Sequence, residues 1–479
     1  MLNNPGMALA AAIVASLLNA CSFGRAYPVT ELYVNTQPEA MPLSPVVVIP
    51  GFLGSVMIDR DSGEVVWGRF LAGQQASFRD DVQRRIALPM TGAPTLSELR
   101  DAVEPVHVMG NAEVALGSGS ITVNAYPGMV SGMMIGAASD NPDKDIPSKA
   151  KLRKWVRDVE DEPSLTDPTR PVAFDWRRDL TGEVQRLEKV IDRAYQEKIA
   201  RGHSAEQARV DVVAHSLGSL LVRYYLRYGT QSLPADGSAP VLDWRGAHKV
   251  RRAILVGPPN NGALDSLYML AEGGKPLPLL LATPPPVIGS FVSMYQLMPH
   301  RNSMSVVSAS DGSPIDIYDV ETWDKLSWGL LDRKPASEKV LKNLMPDIDT
   351  PQQRREAAKK YLALCLESAV QLHRALDIPA SPPAGTSLHL FASNTIDTEG
   401  VAVVDTDSGE FVDVIKVPGD GRVTRKSALG NTAVNPNLSQ PIEPMVDWAS
   451  VHFVPGEHFG FVDHPVFTNN LMYLLLQAP

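Results

Sequence analysis

Three features of the 479-residue sequence predict an α/β fold built on a mostly parallel central sheet. Short β-branched runs alternate with longer amphipathic helical segments, one such run passes straight into a helix with a serine at the junction, and no internal repeat suggests a different scaffold. Alternation of this kind places crossover helices on both faces of the sheet, with right-handed connections.

The first strand is Val46-Val47-Val48-Ile49, an unbroken apolar run suited to burial on both faces, and Pro50-Gly51 ends it. Val172-Ala173-Phe174 is read as the next, followed by a helix over Leu180 to Ile199 in which Val184, Leu187, Val190, Ile191 and Tyr195 recur at helical spacing. Val210 to Ala214 is then a strand, Leu217 to Tyr228 a helix, and Arg252 to Val256 another strand. Ala357 to Leu376 is a helical run, and Leu388 to Ala392 and Val412 to Val417 add late strands. Two segments, Gly68 to Lys151 and Pro258 to about Asp349, are too long for simple loops and are read as cap or lid insertions over one end of the sheet. Residues 46–479 are therefore expected to form one domain with insertions at about 68–151 and 258–349.

Charge and cysteine usage narrow the partners. Forty-four basic and 54 acidic side chains give a net charge of -10 with no basic run, which argues against a nucleic-acid partner. Only Cys21 and Cys365 exist, so at most one disulfide can form and no cysteine pair has zinc-ligand spacing. Cys365, inside a helical run, reads as a small core residue.

The apolar stretch Met7 to Leu18 is too short for a bilayer core of about 30 Å but suits the centre of a signal peptide. It ends in Leu18-Asn19-Ala20-Cys21, which resembles a bacterial lipobox, although no Lys or Arg precedes it and Asn19 is larger and more polar than the usual residue. Residues 1–21 are thus expected to direct export, with Cys21 as a lipid anchor in one case and a periplasmic or secreted chain in the other. The Pro-rich approach that ends at Pro45 makes residues 22–45 a tether.

The chemistry centres on Val210-Asp211-Val212-Val213-Ala214-His215-Ser216-Leu217-Gly218-Ser219. A sharp strand-to-helix turn strains the backbone at the serine and brings its neighbours close, so small residues are needed two before and two after it, and Ala214 and Gly218 meet that need. A serine hydroxyl is a poor nucleophile at neutral pH and requires a base, with an acid to hold the base in the correct tautomer. Asp420, flanked by glycines at the end of the apolar run Val414 to Val417, stands where the acid is expected. His458, in Gly456-Glu457-His458-Phe459-Gly460, follows it as the base. Competing groups fit less well: His452 falls in a strand-like run, His464 begins a helix, Asp405, Asp407 and Asp413 are near neighbours of Asp420, and His215 is read as packing or tuning the pocket. The developing oxyanion needs preorganised donors, expected from the N–H of Leu217 and from the Gly-rich turn Pro50 to Ser55, where Phe52 is preferred and Leu53 is the fallback. No metal or organic cofactor is implied.

With these pieces in order, the chain resembles the lecithin:cholesterol acyltransferase family of α/β-hydrolases from about Val46 onward. The resemblance rests on Pro50-Gly51-Phe52-Leu53-Gly54-Ser55, Phe174-Asp175-Trp176-Arg177-Arg178, the Ala214-to-Gly218 elbow, Tyr295-Gln296-Leu297-Met298-Pro299 and Gly419-Asp420-Gly421. It implies an α/β-hydrolase fold and transfer of an acyl chain from a glycerolipid to water or an alcohol, with a lipid surface as partner and a mobile lid over an apolar trough. The cysteine-bounded lid of the animal enzymes is absent. Leu267, Leu270, Leu277, Leu279, Leu280, Leu281, Val287, Ile288 and Phe291 fit such a trough or lid and fit an insertion core equally well, while Trp176 and Arg177 read as structural. Two other functions use the same features: an amidase or thioesterase with the same triad, and a surface lipoprotein that binds a ligand without catalysis.

Overall fold

The computed structural model describes residues 44–72, 80–93, 95–109, 112–116, 119–123, 169–274, 283–303, 305–431 and 445–476. Its centre is a six-stranded sheet in the order Ser450–Phe453, Ser387–Ala392, Val250–Val256, Val210–His215, Val46–Ile49, Thr169–Pro171, with every neighbouring pair parallel. The first strand is apolar throughout because both of its faces are covered. Val47 and Ile49 enter one buried cluster with Val184, Leu187 and Ile191 of the helix Leu180–Ala200 and with the helix Leu217–Tyr228. Val46 and Val48 enter a second cluster with Phe467, Leu471 and Leu475 of the helix Pro465–Leu476.

Most sequence-predicted elements form within a few residues of their expected bounds, and the exceptions have physical reasons. In the apolar run Val172-Ala173-Phe174, Val172 and Phe174 are buried, but the run is not the strand: the ladder lies at Thr169–Pro171, and Val172 adds one further bond, its N–H donating to the Val48 carbonyl at 2.8 Å. The helix expected from Ala357 begins at Pro351, where Thr350 and Gln353 form a reciprocal capping box. The strand expected at Val412 to Val417 extends over Phe411–Gly419 and lies outside the central sheet, pairing antiparallel with Ile396–Val404, which in turn pairs with Val306–Ser308. This hairpin delivers Asp420 at its end.

The segment from Pro258 to Asp349 contributes helices Leu264–Glu272, Pro285–Ile288, Val292–Gln296, Val320–Leu326 and Pro335–Leu344. Leu267, Leu270, Val287, Ile288 and Phe291 are all at most 4% exposed and belong to the main core, which resolves those five in favour of core. Leu277, Leu279, Leu280 and Leu281 lie outside the described residues, as do the expected signal segment, Cys21, nearly all of the tether and much of Gly68 to Lys151. Cys365 is fully buried, and burial raises its thiol well above the ordinary range. No helix among the described residues is long and apolar enough to cross a membrane.

Candidate active site

The site is assembled at the carboxyl ends of the central strands. Val210–His215 runs directly into Leu217–Tyr228, and the turning residue Ser216 takes φ 49° and ψ -123°, a conformation that costs a non-glycine residue on the order of 1–3 kcal/mol. The surrounding ladder holds it there, because the Ser216 N–H donates to the Val256 carbonyl at 2.8 Å. Gly218 is required by close approach: a Cβ there would lie 2.3 Å from the Pro50 carbonyl oxygen and 2.7 Å from Ile49 Cγ2. Ala214, fully buried, supplies the other small position.

Asp420 and His458 reach Ser216 from distant segments. His458 Nε2 lies 2.9 Å from Ser216 Oγ, and His458 Nδ1 lies 2.7 Å from Asp420 Oδ2. The other carboxylate oxygen of Asp420 accepts the N–H groups of Arg422 at 3.0 Å and Val423 at 2.7 Å, which fixes the plane of the carboxylate. An ionised carboxylate only accepts, so His458 Nδ1 carries the hydrogen and Nε2 is left to accept the serine O–H. Asp420 and His458 are 2% and 3% exposed, whereas Ser216 keeps partial access to solvent. The three expected residues are thus brought together in the order serine, imidazole, carboxylate.

The alternatives are elsewhere. His452 lies in Ser450–Phe453, stacked on Phe391 and hydrogen-bonded to Ser450, and His464 immediately precedes the helix Pro465–Leu476. Asp405 caps a turn through the Asp407 N–H, and Asp413 is exposed on its strand.

Leu217 is the first residue of its helix, where amide groups lack intrahelical acceptors. The Val46–Ile49 strand pairs with Asp211 to Ala214, so the turn from Gly51 to Gly54 emerges beside the elbow. Leu53 occupies the left-handed region with φ 65°, and its carbonyl accepts the Trp67 indole N–H at 3.0 Å. Phe52 packs edge-on against Trp176, with ring centroids 5.1 Å apart.

The segments Phe174 to Arg178 and Tyr295 to Pro299 make packing and hydrogen-bond contacts within the core. Trp176 is fully buried and also meets Trp67 and Phe291 edge-on, at 5.4 and 5.5 Å. Arg177, equally buried, is paired with Asp175 and Asp101 and donates to the Ile86 carbonyl. Gln296 ties two helices together: its Oε1 accepts the Leu180 N–H at 3.0 Å and its Nε2 donates to Ser368 Oγ at 3.0 Å.

Two contributors escaped the sequence reading. Gly257, at the end of Val250–Val256, lies against the imidazole, and a glycine directly after a buried strand is the signal that marks it. Thr398 braces the acid loop by accepting the Gly421 N–H at 2.8 Å, with nothing in its local sequence to announce it. Among the described residues, no group of three or more His, Cys, Asp or Glu side chains is arranged to hold a metal ion.

A parallel sheet covered on both faces, with a strained serine where a central strand enters its helix, defines the chain as an α/β-hydrolase by fold. Residues 150–326 match the model of the Lecithin:cholesterol acyltransferase family, which makes the chain lecithin:cholesterol acyltransferase-like over that segment. The segment contains Phe174 to Arg178, the elbow and Tyr295 to Pro299. The Pro50-to-Ser55 turn and Gly419 to Gly421 lie outside it. No curated protein matches at a significant level.

Among solved structures, the Tle4–Tli4 complex shows 12% identity and a TM-score of 0.46 over 91% of this chain and 98% of that one. The lipase of Staphylococcus hyicus shows 12% identity and a TM-score of 0.33, over 92% and 98%. EstA from Clostridium botulinum shows 11% and 0.29, over 92% and 89%. Likeness at this level is too low to carry a function across.

Proposed function

We propose that the chain is a serine-dependent carboxylic ester hydrolase or acyltransferase acting on lipid acyl esters. The observation that supports this most is the continuous hydrogen-bonded line from Ser216 Oγ through His458 to Asp420, at 2.9 and 2.7 Å. His458 Nε2 takes the Ser216 proton as Oγ attacks the ester carbonyl, and Asp420 stabilises the imidazolium that forms. The N–H groups of Phe52 and Leu217 receive the oxyanion. Collapse of the tetrahedral adduct returns the proton to the departing alcohol and leaves an acyl group on Ser216, which water or a lipid alcohol then removes by the reverse sequence.

The lipid character of the substrate rests on the family match over residues 150–326. The same reading takes residues 1–21 as an export signal with Cys21 as a lipid anchor, 22–45 as a tether and 46–479 as the hydrolase domain, which would bring the site to a lipid surface.

The test is product analysis on a phosphatidylcholine with two different acyl chains, with and without cholesterol or diacylglycerol. Release of one fatty acid, or its appearance on the added alcohol, with neither product from Ser216→Ala, is the expected result. No release by the wild type, or equal release by Ser216→Ala, overturns the proposal.

A further inference from the structure

His458 is engaged at each of its polar atoms. Its ring nitrogens face Ser216 Oγ and Asp420 Oδ2, and its backbone N–H donates to the Asp420 carbonyl at 2.8 Å. The remaining atom, its carbonyl oxygen, lies 3.1 Å from Nε2 of His215. A carbonyl oxygen only accepts, so Nε2 of His215 carries the hydrogen. Complete burial, reinforced by the neighbouring His458, holds the His215 pKa well below the ordinary histidine range, and the ring is neutral. The two imidazoles also pack, with centroids 4.7 Å apart.

The position of His215 gives this bond its meaning. It is the last residue of Val210–His215, is paired with Val256, and directly precedes Ser216. The base stands instead on a connection between Ser450–Phe453 and the short turn Phe461–Asp463. Such a connection has no ladder of its own and depends on individual anchors for its position. Gly456 is anchored to Thr395 Oγ1 at 3.2 Å, but of the anchors to the His458 backbone, one comes from the acid and the other from the strand that carries the nucleophile.

We propose that His215 is a positioning residue for the reaction: its Nε2–H bond to the His458 carbonyl ties the base loop to the nucleophile strand and sets the Ser216–His458 distance. The inference rests on the triad reading given under Proposed function. His215 touches neither substrate nor the transferred proton, and acts only through the placement of His458.

The experiment measures kcat and KM on a soluble short-chain ester, and the rate of fluorophosphonate labelling, for the wild type, His215→Met and His215→Gln. Glutamine offers an amide N–H at the reach of the imidazole Nε2, and methionine has the same length without a donor. His215→Met is expected to lower kcat and the labelling rate about 10- to 100-fold with KM within about twofold, and His215→Gln to stay within about threefold of wild type. Equal losses in the two variants, or no loss in His215→Met, overturn the inference. Should His215→Met not fold, His215→Asn, whose amide is one bond too short, replaces it in the same comparison. A labelled wild type with an unaffected His215→Met defeats the positioning role alone, whereas a wild type that is never labelled defeats the triad reading and this inference with it.

Discussion

His458 Nε2 lies 2.9 Å from Ser216 Oγ across 242 residues of chain, and Gly257 is what leaves room for the ring. A Cβ at Gly257 would sit 3.1 Å from His458 Cε1, 3.2 Å from Nδ1 and 3.4 Å from Asp420 Oδ2, and its φ of +56° already disfavours any side chain. Gly257→Ala should therefore displace the imidazole from both partners. The expected outcome is a fall in kcat of about 10- to 100-fold in steady-state ester hydrolysis, far larger than the change in KM. An unchanged kcat would show that the ring does not need this clearance.

Asp420→Asn addresses the tautomer. An asparagine whose NH2 faces His458 Nδ1 would make that nitrogen an acceptor and place the hydrogen on Nε2, where it blocks uptake of the serine proton. The amide oxygen still accepts from Arg422 and Val423, so the loop should keep its shape. A kcat lower by on the order of 10⁴, with circular dichroism and denaturation midpoint close to wild type, is expected. A loss of less than tenfold would remove Asp420 from the triad.

Packing at the elbow is tested by Gly218→Ala. The added methyl would meet the Pro50 carbonyl and Ile49 at distances no real contact shows, and Ile49, fully buried at the end of its strand, and the buried Pro50 that follows it cannot easily retreat. A stability loss of about 2–3 kcal/mol in chemical denaturation is expected. A neutral result would mean that the helix can shift away from the strand.

Glu183 gives a prediction in pH. Burial first, then the charge of Asp175, raise its carboxyl to about 7 from 4.5, against opposing contributions that include the Asp175 N–H donated to it at 2.9 Å. A carboxyl with a raised folded-state pKa stabilises the fold fully below its unfolded value, and that contribution is lost as pH rises toward 7. Glu183→Gln is neutral throughout and keeps an acceptor for the Asp175 amide. Its stability relative to wild type should increase between pH 4.5 and 7 and level off above, by about 3 kcal/mol in total. Denaturation curves that stay parallel across this range would contradict the burial argument.

The legible parts of the molecule were those whose requirements are local. The elbow could be read because a buried strand, a strained serine and a close helix impose small residues within five positions, and Asp420 because glycines accompany a tight turn at a strand end. The Thr350–Gln353 capping box was equally local, yet the helix start went unread because polar residues dominate its first turn. Sheet membership was not legible. Val412 to Val417 has strand composition, but only the partner strand Ile396–Val404, interrupted by Gly400 and carrying Asp397 and Glu399, decides that it stands outside the central sheet. The anchoring of His458 by His215 was hidden for the same reason, since 243 residues separate donor and acceptor.

The most direct test of the account is the site of covalent capture. After incubation with a fluorophosphonate, intact mass and peptide mapping should find one adduct per chain on Ser216, formed at a rate that falls with Asp420→Asn and absent from Ser216→Ala. An adduct on another residue, or ester hydrolysis that survives in Ser216→Ala, would contradict the claim that this serine is the nucleophile.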